Sequence, residues 1–241
     1  MTPIAILLVA ACMAFVETAH ARTPWPRVAG WWARAGAVNA FAALLVLSAG
    51  ARWNQWVLHH RLWSAETLGP LAGGLVGYLA LTFLYYWWHR ARHASPLLWR
   101  WMHQLHHSPQ RIEIATCYYK HPIELLVNAA LSSVVLFVGL GLSPKAAAFT
   151  VFLTGTVELF YHWNVRTPRW IGYVVQRPES HCIHHEEGVH ACNYSDLPLW
   201  DIVFGTFANP ERWEGRCGLG AANELRMREM LAGVDVTAAS R

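Results

Sequence analysis

The motifs HRARH (residues 89–93), HQLHH (103–107) and HCIHH (181–185) hold eight of the 14 histidines in the chain. Residues three or four positions apart lie on the same face of a helix, so each motif can direct two or three imidazoles at one point. Imidazole is the commonest metal-ligating side chain in proteins. Three such motifs, two of them with identical spacing, therefore predict a metal site.

The composition around these motifs is that of a membrane protein. The 241 residues are 54% hydrophobic and only 14% charged, and 14 of them are tryptophan. Apolar stretches of about twenty residues can cross a bilayer as helices, so we expect an all-α, multi-pass membrane protein with four or five transmembrane helices and a cytoplasmic helical cap that carries the histidines. The apolar stretches cover residues 3–16, 35–51, 68–88, 122–142 and 146–163.

The first apolar stretch is short and ends near Ala19-His20-Ala21, which resembles a signal-peptidase site. A signal peptide also needs a positively charged start, and no cationic side chain precedes this stretch. We therefore favour a retained first helix that is short or tilted.

The loops indicate a topology. Only Ser143-Pro144-Lys145 separates the fourth and fifth stretches, which predicts a tight antiparallel hairpin and places all three histidine motifs on one membrane face. His59 and His60 then fall on the opposite face. The positive-inside rule assigns the motif-bearing face to the cytoplasm, because the loop between the third and fourth stretches is rich in cationic residues, namely Arg90, Arg92, Arg100, Arg111 and Lys120.

Other functional classes are poorly supported. The net charge of +4 comes without a basic run interleaved with aromatics, so a nucleic-acid partner is not indicated. The five cysteines form no C-x-x-C pair, which disfavours a thiolate zinc site. The stretch HEEGVH (185–190) resembles the H-E-x-x-H motif of zinc proteases, but its second histidine is five residues on. That offset is about 140° around a helix, so the pair cannot chelate from one face.

The number of histidines favours two metal ions, since a zinc site uses three or four protein ligands. Imidazoles suit iron, copper, nickel and zinc, so ligand type alone does not choose the metal. Two neighbouring irons could activate dioxygen, which makes an oxygenase the leading hypothesis. The alternative is a non-catalytic metal-binding membrane protein, such as a transporter or sensor. A transporter would carry its ligands along the spans, whereas these gather at one face.

Further motifs carry a resemblance to a known family. KHPIE (120–124), HWN (162–164), NYSDLPLWD (193–201) and FGTF (204–207) occur in order with the three histidine motifs. Together, over roughly residues 80–210, they resemble the fatty acid hydroxylase and sterol desaturase superfamily. The chain departs from that pattern at Ser195, where glycine is usual, and at Arg166, where a second histidine can occur.

The resemblance implies an integral membrane, non-haem di-iron enzyme that uses dioxygen and two electrons to hydroxylate or desaturate a lipid C–H position. It divides the chain into N-terminal membrane helices (1–67), a di-iron domain (68–210) and a C-terminal tail (211–241). The implied iron ligands are His89, His93, His103, His106, His107, His162, His181, His184 and His185.

Electrons must come from outside the chain, because it has no cysteine set for an iron–sulfur cluster and no G-x-G-x-x-G motif. The expected donor is a separate ferredoxin, cytochrome or flavin reductase.

Five other polar residues are candidates for supporting the ligands or lining a substrate site: His121, Glu158, Asn164, His190 and Asp201. His121 is a ligand, a substrate-lining residue or a cap of the fourth membrane helix, which begins at Pro122. Glu158 lies four residues before His162 within an apolar stretch. It either orients that imidazole or pairs with another group inside the bundle.

Overall fold

The protein is all-helical in a computed structural model that describes residues 2–237, with the side chains at positions 51, 52 and 54 left undescribed. No β-strand occurs within that range. The α-helices are α1 Thr2–His20, α2 Trp31–Leu58, α3 Gly69–Ala94, α4 Gln104–His107, α5 Pro122–Ser133, α6 Pro144–Tyr161, α7 Pro178–His184, α8 Pro198–Val203, α9 Ala221–Glu224 and α10 Met227–Leu231. Shorter helical turns cover Glu66–Leu68, Pro96–Leu98, Trp99–His103, Ile114–Thr116, Val134–Gly139 and Arg169–Tyr173.

Four helical segments of the described chain are long and apolar enough to cross a membrane: Thr2–His20, Trp31–Leu58, Glu66–Ala94 and Pro122–Gly139. The prediction of an all-α, multi-pass membrane protein is therefore confirmed. The short first stretch extends into a 19-residue helix. The fifth apolar stretch forms the 18-residue helix α6, which lies outside this set of four.

Helix α5 continues into the helical turn Val134–Gly139, and residues 140–143 then lead into α6, so Pro144 and Lys145 of the predicted turn belong to α6 and not to the turn. Ser143 caps α6 by accepting a hydrogen bond from the Ala146 backbone N–H (3.2 Å), and Pro144 occupies the first helical turn. Beyond the turn, α5 packs mainly on α2, whereas α6 packs on α3 and α1. The two arms therefore do not form the paired hairpin that the sequence suggested.

Glycines on α3 explain why α6 prefers that neighbour. A Cβ atom at Gly77 would lie 2.4 Å from the Thr150 hydroxyl, and one at Gly74 would lie 2.4 Å from the Phe149 ring. The absence of these side chains lets the two backbones approach closely, and the Thr150 hydroxyl donates to the Gly74 carbonyl at 2.8 Å. Small residues and an interhelical hydrogen bond are the usual basis of such packing in membranes.

The histidine-bearing loops meet at one end of the bundle, where α1, α3 and α6 end and α2 and α5 begin. Glu17, near the end of α1, joins two of these loops because its Oε2 accepts from the backbone N–H of Ile114 (3.2 Å) and of Asn164 (2.8 Å). His59 and His60 lie at the opposite end, after the last turn of α2.

The C-terminal segment packs against this same end. Met230 and Val236 are buried in one apolar core with Trp31 and Leu105, and Gln104 Nε2 donates to the Val234 carbonyl at 2.7 Å. The resemblance assigned residues 211–241 to a C-terminal tail. The helices α9 and α10 fall in that range, but the chain stays docked through residue 237 because its apolar side chains are buried. Residues 238–241 of the predicted tail lie outside the described range.

Candidate metal centre

Nine histidines from four segments of the chain converge into two groups at this end of the bundle. Within each group, the candidate ligand nitrogens all lie within 4.8 Å of one another. The first group contains His89, His93, His103, His107 and His184, and the second contains His106, His162, His181 and His185. These are the nine positions that the sequence analysis named as ligands.

The two groups divide each H-x-x-H-H motif in the same way. The histidines four positions apart stay together, as His103 and His107 do in the first group and His181 and His185 in the second. The histidine at the intervening position, His106 or His184, joins the opposite group. Positions i+3 and i+4 lie about 100° apart around a helix, so neighbouring imidazoles diverge. Each H-x-x-H-H motif therefore directs two of its three imidazoles at one point, within the two or three that its spacing predicts.

The backbone before α4 contributes to that division. Residues Trp99–His103 form a π-helical turn, which is wider than an α-helical turn and is often found at functional sites. Leaving this turn, His103 has φ −145°. The motif therefore enters α4 from an irregular backbone that brings His103 against His89, with their Nε2 atoms 2.8 Å apart.

The spacing of the ring nitrogens matches that of ligands around a metal ion. In the first group, His103 Nε2 lies 3.1 Å from His107 Nε2. In the second group, His162 Nε2 lies 3.2 Å from His181 Nε2 and 3.4 Å from His106 Nε2. Nitrogens bound at about 2.0–2.1 Å to one tetrahedral or octahedral ion are about 2.9–3.4 Å apart.

Several ring nitrogens in these groups have no hydrogen-bond partner in the described part of the chain. Within residues 2–237, His93 Nε2, His106 Nδ1, His184 Nε2 and both ring nitrogens of His185 are buried without a hydrogen bond. Burying a polar atom without a partner is costly. A bound cation would satisfy such lone pairs, so the residues present fit a metal centre. The two groups are neighbours, because the rings of His107 and His185 stack with centroids 4.0 Å apart.

Comparison with known proteins identifies the family of the chain. The profile of the fatty acid hydroxylase family matches residues 74–206, which contain all nine histidines. This chain belongs to the fatty acid hydroxylase family. No solved structure matches it significantly.

Several curated relatives of this chain carry the names of lipid hydroxylases or monooxygenases. The chain is 31% identical over 160 residues to an ornithine lipid hydroxylase of Rhizobium tropici, covering 64% of this chain and 47% of the relative. It is 28% identical to an alkylglycerol monooxygenase of Danio rerio, covering 55% and 30%. It is 26% identical to a sphinganine C4-monooxygenase of Arabidopsis thaliana, covering 51% and 48%. The match spans less than half the length of each of these relatives.

Backbone carbonyls orient several of the nine imidazoles. The Nδ1 atom lies 2.8 Å from the Tyr194 carbonyl in His89, from the Cys192 carbonyl in His184 and from the Glu158 carbonyl in His162. A carbonyl can only accept a hydrogen bond, so each Nδ1 carries the proton and each Nε2 keeps its lone pair for a metal.

His103 differs, because its Nδ1 faces a carboxylate. Glu124 Oε1 lies 3.1 Å from that nitrogen and pairs with Arg92, whose Nη1 also lies 3.1 Å from the same His103 nitrogen. Glu124 is fully buried, and its other oxygen has no hydrogen-bond partner among the described residues. Glu124 lies in the KHPIE motif and Arg92 among the cationic loop residues, but the sequence analysis predicted no role at the metal site for either residue. The available signal was an ionisable residue inside an apolar stretch, which requires a partner there.

Two of the five supporting candidates lie beside the histidine groups. His190 Nδ1 is 3.1 Å from His107 Nδ1. Asp201 accepts from the backbone N–H of Tyr194 (2.8 Å) and of Ser195 (3.0 Å). Asp201 thereby fixes the peptide segment whose carbonyl at Tyr194 orients His89.

The other three candidates act elsewhere. His121 caps α5 by accepting from the Ile123 N–H (3.1 Å) and belongs to neither group. The Asn164 side chain binds the backbone of Thr23, both accepting from its N–H (3.0 Å) and donating to its carbonyl (2.9 Å). The Glu158 carboxylate pairs with Lys120, so only its backbone carbonyl orients His162.

One of the two departures from the family pattern, Ser195, forms a hydrogen bond with α3. The Ser195 hydroxyl donates to the Thr82 carbonyl on α3 at 3.1 Å.

The HEEGVH stretch does not form the ligand pair of a zinc protease. His185 belongs to the second group, whereas His190 belongs to neither group and lies beside His107. The Glu186 carboxylate in this stretch accepts from Trp213 Nε1 at 3.0 Å.

Burial keeps the imidazoles that lie outside the four membrane-spanning segments neutral. It lowers the pKa of His162 and of His184 to about 3, and it holds the pKa of other grouped histidines well below the usual range. These others are His103, His106, His107, His181 and His185. Neutral imidazole is the form that binds metal, so the site needs no deprotonation at neutral pH.

We expect the metal-free protein to lose stability in acid. Histidines of the unfolded chain take up protons near pH 6.5, whereas His162 and His184 in the folded chain resist protonation down to about pH 3. Their contribution to stability is complete above about pH 6.5 and is lost as the pH falls toward 3. Thermal unfolding of the metal-free protein in detergent should show a falling melting temperature between about pH 7 and pH 4. A constant melting temperature across that range would contradict the burial of neutral imidazoles.

Proposed function

We propose that the protein is a membrane-bound, non-haem di-iron oxygenase that hydroxylates or desaturates a lipid C–H position with dioxygen and external electrons. The observation that carries the proposal is the convergence of nine histidines into two adjacent groups at one end of a membrane-spanning bundle. The lipid-oxidising activities of the relatives support it.

The ligand sets favour iron over zinc. The first group offers five imidazoles and the second four. Five exceeds the four-coordinate shell of structural zinc, and nitrogen-rich sites of higher coordination number suit iron. Bound there, two irons would supply the activation of dioxygen, which side chains alone cannot provide.

The chain itself orients the ligands and excludes water. The second group is wholly buried, and carbonyl and carboxylate acceptors hold several of the rings. Beside the first group, the ring of the half-buried Tyr194 lies 5.6 Å from the rings of His89, His93 and His184. Tyr86 and Phe204 stack behind it, with centroids 5.1 Å apart. This aromatic wall favours an apolar chain over water next to the histidines.

The substrate class we propose is a lipid with a long alkyl or acyl chain. The named relatives act on ornithine lipid, alkylglycerol and sphinganine, which share such a chain although their polar ends differ. We place the site on the cytoplasmic face, because the segment from the end of α3 to the start of α5 is rich in cationic residues, namely Arg90, Arg92, Arg100, Arg111 and Lys120. A separate ferredoxin, cytochrome or flavin reductase would deliver the electrons there.

Comparative lipid mass spectrometry tests this function. Cells that express the wild-type chain under isotopically labelled dioxygen should accumulate a lipid with a labelled hydroxyl group, or one with an additional double bond. Cells that express His107→Ala should not. Protein purified without oxygen should hold about two irons per chain, as the two ligand groups require.

The rival function predicts the opposite results. A transporter or sensor would leave the host lipids unchanged at full expression. Purified protein that holds zinc, together with an unaltered lipid profile, would overturn the oxygenase proposal and favour the rival.

A further inference from the structure

An exposed apolar surface lies beside the metal centre, and neither the ligands nor the helical bundle accounts for it. Helix α8 contributes Leu199, Ile202 and Val203, each about half or more exposed. The neighbouring turn Arg169–Tyr173 and the residue after it contribute Trp170, Tyr173 and Val174 in the same way. We call these six side chains the apolar ledge. Such a contiguous patch marks an interaction site.

Contacts with α3 set the depth of the ledge. Trp200 Nε1 donates to the Thr82 hydroxyl at 3.0 Å, and the Ser195 hydroxyl donates to the Thr82 carbonyl at 3.1 Å. Thr82 lies twelve residues before Ala94, the last residue of α3, which corresponds to about 18 Å along the helix axis at 1.5 Å per residue. The hydrocarbon core is about 30 Å thick. Helix α8 therefore lies alongside the spanning part of α3 and not beyond its end.

The ledge continues the lipid-facing surface of α3. The exposed residues Leu75, Leu79, Phe83 and Trp87 are spaced four apart along α3 and form one apolar ridge. On a membrane-spanning helix, such a ridge faces acyl chains. The Phe83 ring lies 4.9 Å from the ring of Trp200, so the ridge runs directly into α8.

Backbone N–H groups around the ledge are hydrogen-bonded within the protein. A position in hydrocarbon requires this, because unpaired N–H groups are costly there. The Asp201 carboxylate accepts hydrogen bonds from the backbone N–H groups of Tyr194 and Ser195. The Asp201 carbonyl accepts from the Thr206 N–H at 2.8 Å, and the Trp200 carbonyl accepts from the Phe204 N–H at 2.9 Å.

We propose that the apolar ledge is immersed in the acyl-chain region of the bilayer leaflet on the metal-centre side. Its occupant is lipid, because the ledge continues a surface that already faces lipid. Asp201 links the ledge to the metal centre, since it fixes the segment whose Tyr194 carbonyl orients His89. If the proposed function holds, a lipid moving along the ledge reaches the first histidine group from within the leaflet.

Spin-label depth measurements in phospholipid vesicles test the proposal. The labels are placed at Val203→Cys on the ledge and at Val189→Cys, an exposed apolar position on the loop after α7, as the matched control. Both changes are made in a Cys12→Ser background, which removes the exposed native cysteine. We expect the label at position 203 to collide more often with dissolved oxygen than with a water-soluble nickel chelate. The order should reverse at position 189.

Equal access of the nickel chelate to both positions would overturn the proposal. Both labelled proteins must elute as the wild-type species does on size exclusion, so that misfolding cannot imitate an aqueous ledge. The depth measurement does not depend on metal or turnover. A lipid-immersed ledge on a protein without iron would refute only the oxygenase, and an aqueous ledge on an active oxygenase would refute only this inference.

Discussion

Alanine in place of His184 and alanine in place of His185 should each remove one metal ion, but from different positions of the centre. The two residues are adjacent in sequence, yet His184 belongs to the first group and His185 to the second. Changes to residues that merely support a metal ligand cost about 10–100-fold in metal affinity or activity. Loss of a ligand itself should lower lipid oxidation by more than about 100-fold in either variant.

Metal analysis of the two purified variants distinguishes them. Each should hold about one iron per chain, whereas wild type should hold about two if the proposed function is correct. The Mössbauer spectrum of iron-57-loaded protein should lose a different component in each variant. His60→Ala, at the exposed far end of α2, is the control and should retain wild-type iron content and spectrum. Loss of the same component in both variants would show that the nine histidines form one site and not two.

The positions of the candidate ligands could be predicted from sequence because the histidines recur at regular spacing in three motifs. All nine named histidines lie in the two groups. Their division between the groups was not accessible, because it depends on how α3, α6 and α7 converge and on the π-helical turn before α4. A motif read alone gives only the relative angle of its side chains around one helix axis.

The fold, like the metal centre, could be predicted only in part from sequence. Apolar length predicted the membrane helices, because the bilayer thickness fixes how many apolar residues a span needs. Which helices pack together depends on small residues such as Gly74 and Gly77, whose effect requires knowing what lies opposite them. Glu124 escaped notice for a related reason: its partners Arg92 and His103 are 32 and 21 residues away in sequence.

Removal of the Glu124 carboxylate should impair both the stability of the protein and the metal centre. In Glu124→Ala, the Arg92 guanidinium is left buried without its partner, and breaking such a pair costs about 3–5 kcal/mol. His103 also loses the acceptor that fixes its Nδ1 proton and ring orientation. Such supporting contacts contribute about 10–100-fold in metal affinity or activity.

A double variant separates these two effects. Replacing a buried ion pair by apolar residues of similar volume is often neutral for stability or stabilising, so Arg92→Met with Glu124→Leu should recover the melting temperature lost in Glu124→Ala. Metal affinity, measured by competition with a chelator, should stay low because His103 still lacks its carboxylate. Glu124→Gln keeps an oxygen acceptor for the His103 Nδ1 proton and should bind metal more tightly than the double variant. If the double variant recovers metal affinity together with stability, Glu124 serves only to neutralise Arg92 and does not position His103.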